Sequence, residues 1–340
     1  MQIEGDWSDL NGSGFVVVRG FLSPEAVATV LKPYLAAMEG DKYLFVPAAF
    51  LGPGGLEVLA DLQGRFRELF PAIEKRAGLH LTTFDPFTTY FPNRWYDDDT
   101  GKPLDAAGWH SDPPPYHLFQ DVSQYVNCWI PLIKPKADES GLTLLPMDRL
   151  REKDPTFYEA IQRRGGAAFA SSKTPPGSPG SVFPLLKVKE AGDYLTIDRD
   201  GEILLLEPRV DIDDIGVTPD VMPGDAIFAH GDVLHRAQDQ KANRVAISLR
   251  GVNGEMKVTK DFLLRLPELW RRSLANPGHH FAASFLGAFA YHGRDTLTVQ
   301  EALDFITAVF MQSPEQFAAT EAVRAEMFRI LGVTSIGPLV

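Results

Sequence analysis

The sequence predicts an α+β protein, mainly β, with a strand-rich core and helices at both ends. Two observations point to it. Short β-branched or alternating runs bounded by glycine and proline recur between residues 82 and 250, while apolar stripes at helical spacing fall before and after them. A pattern of this kind suggests a closed or sandwiched β core with helical buttresses. The alternative αβ architectures lose support because no strand is followed by a dinucleotide-binding glycine turn or a phosphate-binding Gly-Lys-Ser/Thr loop. A hydrolase Gly-x-Ser-x-Gly elbow is missing as well.

The elements follow in order. Residues 14–21 form a β-branched run closed by glycines, hence a strand. Ser23 is placed to cap a helix with Pro24 in its first turn, and Ala26, Val27, Val30, Leu31 and Leu35 supply the buried stripe. A second helical pattern covers residues 56–79, and strands are expected over residues 82–90, 124–132 and 141–146. In the middle one Val126, Cys128 and Ile130 alternate with Asn127 and Trp129, giving one apolar face and one suited to a pocket. Residues 165–184 hold four Gly, four Pro and four Ser, so no packed element is expected there; a lid and a plain surface insertion fit equally. Arg199-Asp200-Gly201 between residues 194–198 and 202–206 signals a tight hairpin. Asp211, Asp213 and Asp214 lack calcium-loop spacing and read as a solvated acidic turn. Residues 225–230 and 244–250 are two more strands. From residue 262 the chain turns helical: Thr298 and Glu301 make a capping box ahead of Val299, Leu303, Ile306 and Phe310, and Ser313-Pro314-Glu315 opens a further helix.

Composition narrows the function. With 33 Lys and Arg against 45 Asp and Glu the net charge is −12, which argues against a nucleic-acid partner. The single cysteine, Cys128, excludes an intrachain disulfide and a cysteine-based zinc site and suits a reducing cytoplasm. Residues 1–6 carry no signal-peptide pattern, and no apolar run has membrane-spanning length, so no membrane association is expected.

The chemistry concentrates in Gly108-Trp109-His110-Ser111-Asp112-Pro113. Residues two apart on a strand face the same way, so His110 and Asp112 present an imidazole and a carboxylate together. They would form two thirds of a facial metal triad, completed by a histidine from a distant strand. Residues 224–250 offer His230 and His235, with Arg244 nine residues after the latter. A strand-borne arginine beside a metal suits a dicarboxylic co-substrate, which its planar guanidinium grips through parallel hydrogen bonds.

On these residues the chain resembles the phytanoyl-CoA dioxygenase family of Fe(II)- and 2-oxoglutarate-dependent oxygenases over roughly residues 12–252. Further matching segments are Gly14-Phe15-Val16-Val17, Gly20-Phe21-Leu22-Ser23-Pro24-Glu25, Trp129-Ile130-Pro131-Leu132, Gly141-Leu142-Thr143-Leu144-Leu145-Pro146 and Pro223-Gly224-Asp225. The resemblance implies a double-stranded β-helix (jelly roll, cupin-like) over residues 1–256 with an insertion at about 150–220. Residues 257–340 would then be a C-terminal helical extension, packed on the core or serving as a homodimer interface or cap. It implies His110, Asp112 and His235 as iron ligands, with His235 preferred to His230, and Arg244 on the far carboxylate of 2-oxoglutarate. Asn127 and Trp129 would line the co-substrate pocket, and Tyr116 and His117 would contact a small-molecule substrate at the rim. His279 and His280 read as surface residues. Iron, 2-oxoglutarate and O2 are the implied cofactor and co-substrates, with succinate and CO2 released. Asp112, kept where halogenating members have a small residue, points to hydroxylation, desaturation or cyclisation. The chain departs from the family at Pro146-Met147-Asp148-Arg149, where Gly-Ser-His is usual, and in the 125-residue gap between His110 and His235. The rival classes are a non-catalytic metal- or ligand-binding β-helix protein and an assembly module acting through the C-terminal helices.

Overall fold

The computed structural model describes residues 2–38, 46–85, 88–93, 95–96, 103–104, 109–111, 124–164, 167–170, 194–199, 202–206, 208–239, 241–265 and 281–310. The first half contains β1 (Gln2–Glu4), β2 (Phe15–Arg19), α1 (Pro24–Ala37), β3 (Val46–Pro47), α2 (Gly52–Arg67), α3 (Phe70–Ala77), β4 (Thr83–Phe84), β5 (Thr89–Pro92), β6 (Trp95–Tyr96), β7 (Pro103–Leu104), β8 (Tyr125–Ile133) and β9 (Leu142–Leu144). Then come α4 (Met147–Lys153), α5 (Pro155–Arg164), β10 (Ala167–Ala170), β11 (Tyr194–Arg199), β12 (Glu202–Leu206), α6 (Ile212–Ile215), β13 (Ala226–His230), β14 (His235–Ala237) and β15 (Val245–Val252). The chain continues through β16 (Lys257–Thr259), α7 (Lys260–Arg265), α8 (Phe281–His292), β17 (Thr296–Thr298) and α9 (Val299–Phe310).

The architecture is a mainly antiparallel sheet plus helices. The main sheet runs β1-β2-β13-β8-β15-β5-β3, with β4 also on β15. A smaller one is built on β14 and β9 and extended by single bridges, His110 to His235 on one side and Leu144 to Val217 on the other.

Alternation along the strands gives the main sheet two unlike faces. Val18, Phe228, Cys128, Ile130, Leu249 and Tyr90 look toward the N-terminal helices and join Val30, Tyr34, Leu62, Phe66 and Ile73 in one apolar core. Phe228 is its centre, with Trp7, Phe21 and Phe66 edge-on at 5.2, 5.6 and 5.0 Å. The other face, with Val17, Ile227, Ala229, Trp129 and Ala246, belongs to a second apolar cluster that reaches Leu144 of the smaller sheet. Buried polar residues of the main sheet, Ser248 and Arg250 among them, share that second face by register with Trp129 and Asn127.

Local signals account for the element ends. Ser23 accepts from the Ala26 amide at 3.2 Å and starts α1. Gly224 has φ +92°, and a Cβ there would lie 2.5 Å from the Leu22 carbonyl oxygen, so only glycine fits. Asp225 accepts from the Gly20 and Met222 amides and from Arg19, strapping β2 to the start of β13. Burial alone would raise its pKa, but these bonds together lower it. The Pro223-Gly224-Asp225 motif is therefore structural.

Some expectations need correction. The stretch 82–90 is two short strands, β4 and β5, rather than one. Within 165–184, where no packed element was expected, Ala167–Ala170 forms β10 and pairs with β11. Its small apolar run is held by a strand 24 to 30 residues on (Ala170 opposite Tyr194, Ala167 opposite Ile197), which local composition does not register. The remainder of the segment, 171–184, lies outside the described residues. Asp211, Asp213 and Asp214 are exposed, as an acidic turn should be, but the turn is the short helix α6: Asp211 caps it, and Asp213 is also bound on two sides, as shown below. After Pro146 the chain enters α4 directly, its Met147 amide held by the Ser13 carbonyl at 2.9 Å.

The two strands of the hairpin pair antiparallel, with Arg199 opposite Glu202, while Asp200 and Gly201 lie outside the described residues. Towards the C-terminus Phe285, Phe289, Leu297, Val299, Leu303 and Ile306 share a core with Tyr125 and Val252 at the end of β8 and β15. The Thr298–Glu301 capping box is made in both directions, at 3.1 and 2.8 Å. Ser313-Pro314-Glu315, His279 and His280 lie outside the described residues. Among the described residues no helix is long and apolar enough to cross a membrane.

Candidate metal and carboxylate site

His110 and His235 stand directly opposite each other and exchange both backbone hydrogen bonds, at 2.9 and 2.7 Å. Directly paired residues project to one face. Their imidazoles accordingly converge, with ring centroids 4.4 Å apart and planes inclined by 51°. His235 Nδ1 lies 3.1 Å from the Val233 carbonyl oxygen. A carbonyl only accepts, so Nδ1 carries the proton and Nε2 the lone pair that a metal needs.

His230 is placed differently. Its Nδ1 is 2.6 Å from Asp232 Oδ1, and both side chains are largely buried. Strand alternation sets it on the Phe228 face, away from the His110–His235 pair. Asp112, Tyr116 and His117 lie outside the described residues. Among the described residues no three His, Cys, Asp or Glu side chains cluster as a metal site.

Arg244 precedes β15 and is only 5% exposed. Its Nη2 donates to Asn93 Oδ1 at 3.1 Å, and its guanidinium carbon lies 5.2 Å from the Trp129 ring centroid. Its Nε is buried without a hydrogen-bond partner among the described residues. Burial pushes its pKa down to about 10, with Asp239 pulling the other way, so the group is still a cation at neutral pH. A buried guanidinium with an unspent donor is suited in its chemistry to a carboxylate.

Asn93 is a site residue that sequence reasoning missed. Its Nδ2 donates to the Asp239 and Ala242 carbonyls at 3.0 and 3.1 Å, which fixes Oδ1 toward Arg244. Lys134 is a buried cation held by the backbone. Its buried Nζ donates to the Ala137 and Val221 carbonyls; burial lowers its pKa, and the Arg244 charge acts in the same direction. Nothing local marks Asn93, because it gains its meaning from segments far along the chain. The Trp129 ring lies against the Arg244 guanidinium. Asn127 accepts from the Ser248 hydroxyl at 2.5 Å on the same face.

No family model matches the sequence, and no curated protein matches it. Among solved structures, the chain is similar to the non-heme alpha ketoglutarate dependent epimerase SnoN from nogalamycin biosynthesis, with 17% identity, TM-score 0.43, and 73% of this chain and 80% of that one covered. It is also similar to EvdO2 from Micromonospora carbonacea var. aurantiaca complexed with 2-oxoglutarate, at 15% identity and TM-score 0.42, covering 73% of this chain and 89% of that one. A third is AviO1 from Streptomyces viridochromogenes Tue57, at 12% identity and TM-score 0.40, covering 73% and 93%. Likenesses this slight leave the reading of the site to its own geometry.

Proposed function

We propose that the protein is an Fe(II)/2-oxoglutarate-dependent oxygenase of the phytanoyl-CoA dioxygenase kind. The observation that carries this reading is the buried Arg244 with an unspent donor, in a chain that also pairs His110 with His235. The donor set fits the cofactor: two imidazoles converge, and one has its tautomer set by a carbonyl. The strand orders support a double-stranded β-helix, with β5, β15, β8 and β13 facing a sheet that runs His110, β14, β9, Val217.

In this reading His110, Asp112 and His235 hold iron, and Arg244 takes the distal carboxylate of 2-oxoglutarate. Iron with O2 and this co-substrate supplies the oxidising power for an unactivated C–H bond, with succinate and CO2 as co-products. The chain's own residues do the rest. Val233 holds the His235 ring, Asn93 aims the guanidinium, and the Trp129 ring covers it and keeps water from competing for the bound carboxylate. Asn127 and Trp129 line the co-substrate pocket, and Tyr116 and His117 contact a small-molecule substrate, a specialised metabolite or amino-acid derivative. The carboxylate of Asp112 favours hydroxylation, desaturation or cyclisation. We also propose residues 1–256 as the oxygenase domain, residues 257–340 as an extension packed on it and available for a homodimer, and a cytoplasmic setting.

The test is calorimetric titration of 2-oxoglutarate into the Fe(II)-loaded protein without oxygen. One equivalent should bind to the wild type, and Arg244→Met should weaken it by about 100-fold or more, as expected for stranding one member of a buried charge pair. Equal binding by both proteins would remove Arg244 from the site and favour a non-catalytic ligand-binding protein.

A further inference from the structure

The residues flanking the two histidines turn the other way. Trp109 precedes His110 and Arg236 follows His235, so in antiparallel register they stand opposite each other on the face away from the imidazoles. Both meet one side chain. Asp213 Oδ1 accepts from Trp109 Nε1 at 2.7 Å and from Arg236 Nε at 3.0 Å. The Arg236 guanidinium carbon lies 5.2 Å from the Trp109 ring centroid, and its Nη1 donates to the Ala237 and Gln238 carbonyls at 3.2 Å. Asp213 sits in α6, whose own start is fixed by the Asp211 cap. Gly216, at the end of α6, admits the indole: a Cβ there would lie 3.0 Å from Trp109 Cη2.

We infer that Asp213 is a positioning residue for the metal centre, clamping Trp109 and Arg236 from behind so that His110 and His235 keep their separation. The inference rests on the proposed function. Among the described residues the two histidine segments are joined by a single bridging pair, and β14 is three residues long. Two backbone hydrogen bonds leave such a pair free to twist, whereas the carboxylate adds a third tie on the opposite face. Groups bonded directly to metal ligands typically change metal affinity by 10–100-fold, and Asp213, bonded to the neighbour of each ligand, is expected at the lower end of that range.

Titration of metal-free protein with Co(II), read by its d–d absorption, tests this without relying on turnover. Asp213→Ala should bind Co(II) about 10-fold more weakly with a shifted band. Asp213→Asn, which keeps an oxygen for the indole but loses the charge for Arg236, should fall between it and the wild type. Trp109→Phe, which stays aromatic but loses the N–H donor together with the pyrrole part of the indole, should also bind more weakly; with Asp213→Asn it carries the test if Asp213→Ala does not fold. Variants that melt earlier yet bind Co(II) within about twofold of wild type would overturn the clamp and leave Asp213 as scaffold. Wild-type Co(II) binding unaffected by His235→Ala would instead overturn the metal centre, and the clamp with it.

Discussion

Replacing Arg244 with methionine separates a ligand-binding arginine from a structural one. The pKa depression to about 10 corresponds to ~3 kcal/mol of unfavourable burial in the free protein, which the apolar replacement relieves. Against this stand the bond to Asn93, worth ~1.5–3 kcal/mol as a charge-assisted hydrogen bond, and the contact with Trp129, worth ~1–2 kcal/mol when desolvated. The two sides nearly cancel, so Arg244→Met without ligand should unfold within about 2 kcal/mol of wild type. Ligand changes the comparison. At 2-oxoglutarate 100-fold above its wild-type Kd, the wild type gains about 2.7 kcal/mol. A variant weakened about 100-fold gains only ~0.4 kcal/mol at the same concentration. Urea unfolding of the Fe(II)-loaded proteins without oxygen, with and without 2-oxoglutarate, measures both differences. A ligand-free loss of 3–5 kcal/mol would show that Arg244 neutralises a structural carboxylate, and equal gains from 2-oxoglutarate would show that it does not touch the ligand.

Other perturbations probe the frame around the site. The affinity for 2-oxoglutarate should be flat from about pH 6 to 9 and fall as pH rises through about 10, where free Arg244 loses its proton; a fall centred near neutrality would point to another group. Gly224→Ala should cost about 2–4 kcal/mol in urea unfolding, because it adds left-handed strain and a clash with the Leu22 carbonyl; a change under about 0.5 kcal/mol would contradict the strap. Glu301 is held down to about 2, first by the Arg294 hydrogen bond and then by the Thr298 amide. A lowered carboxylate pKa stabilises the fold above its unfolded value near 4.3 and loses that contribution as pH falls through about 2. Wild type should therefore exceed Glu301→Gln in stability at pH 7, and the gap should close toward pH 2. Cys128 is fully buried and its thiol pushed well up, so a disulfide reagent should label native protein only as fast as the chain unfolds.

What was legible in the sequence is what local pattern controls. The alternation of Val126, Cys128 and Ile130 with Asn127 and Trp129 assigned both faces of β8, and Ser23 and Thr298 marked the helix starts that form. The spacing around His235 and Arg244 found a converging imidazole and a buried guanidinium, and the resemblance favoured the histidine that stands beside His110. Contacts between distant segments were not legible. Asn93 meets Arg244 across 151 positions, and Trp109 meets Asp213 across 104. An asparagine after a strand and an aspartate in an acidic run carry no sign of such partners until topology supplies them. The same holds for β10, and for β16 and β17, whose few residues become strands only through pairing.

The most direct test of the oxygenase reading is conversion of 2-oxoglutarate to succinate under air with added Fe(II), in wild type, His110→Ala, His235→Ala and Arg244→Ala. Slow turnover by the wild type, lost in all three variants, is the predicted result. Turnover that survives the loss of His110 and His235 would contradict the account, because the oxidation would then be proceeding somewhere other than at this pair.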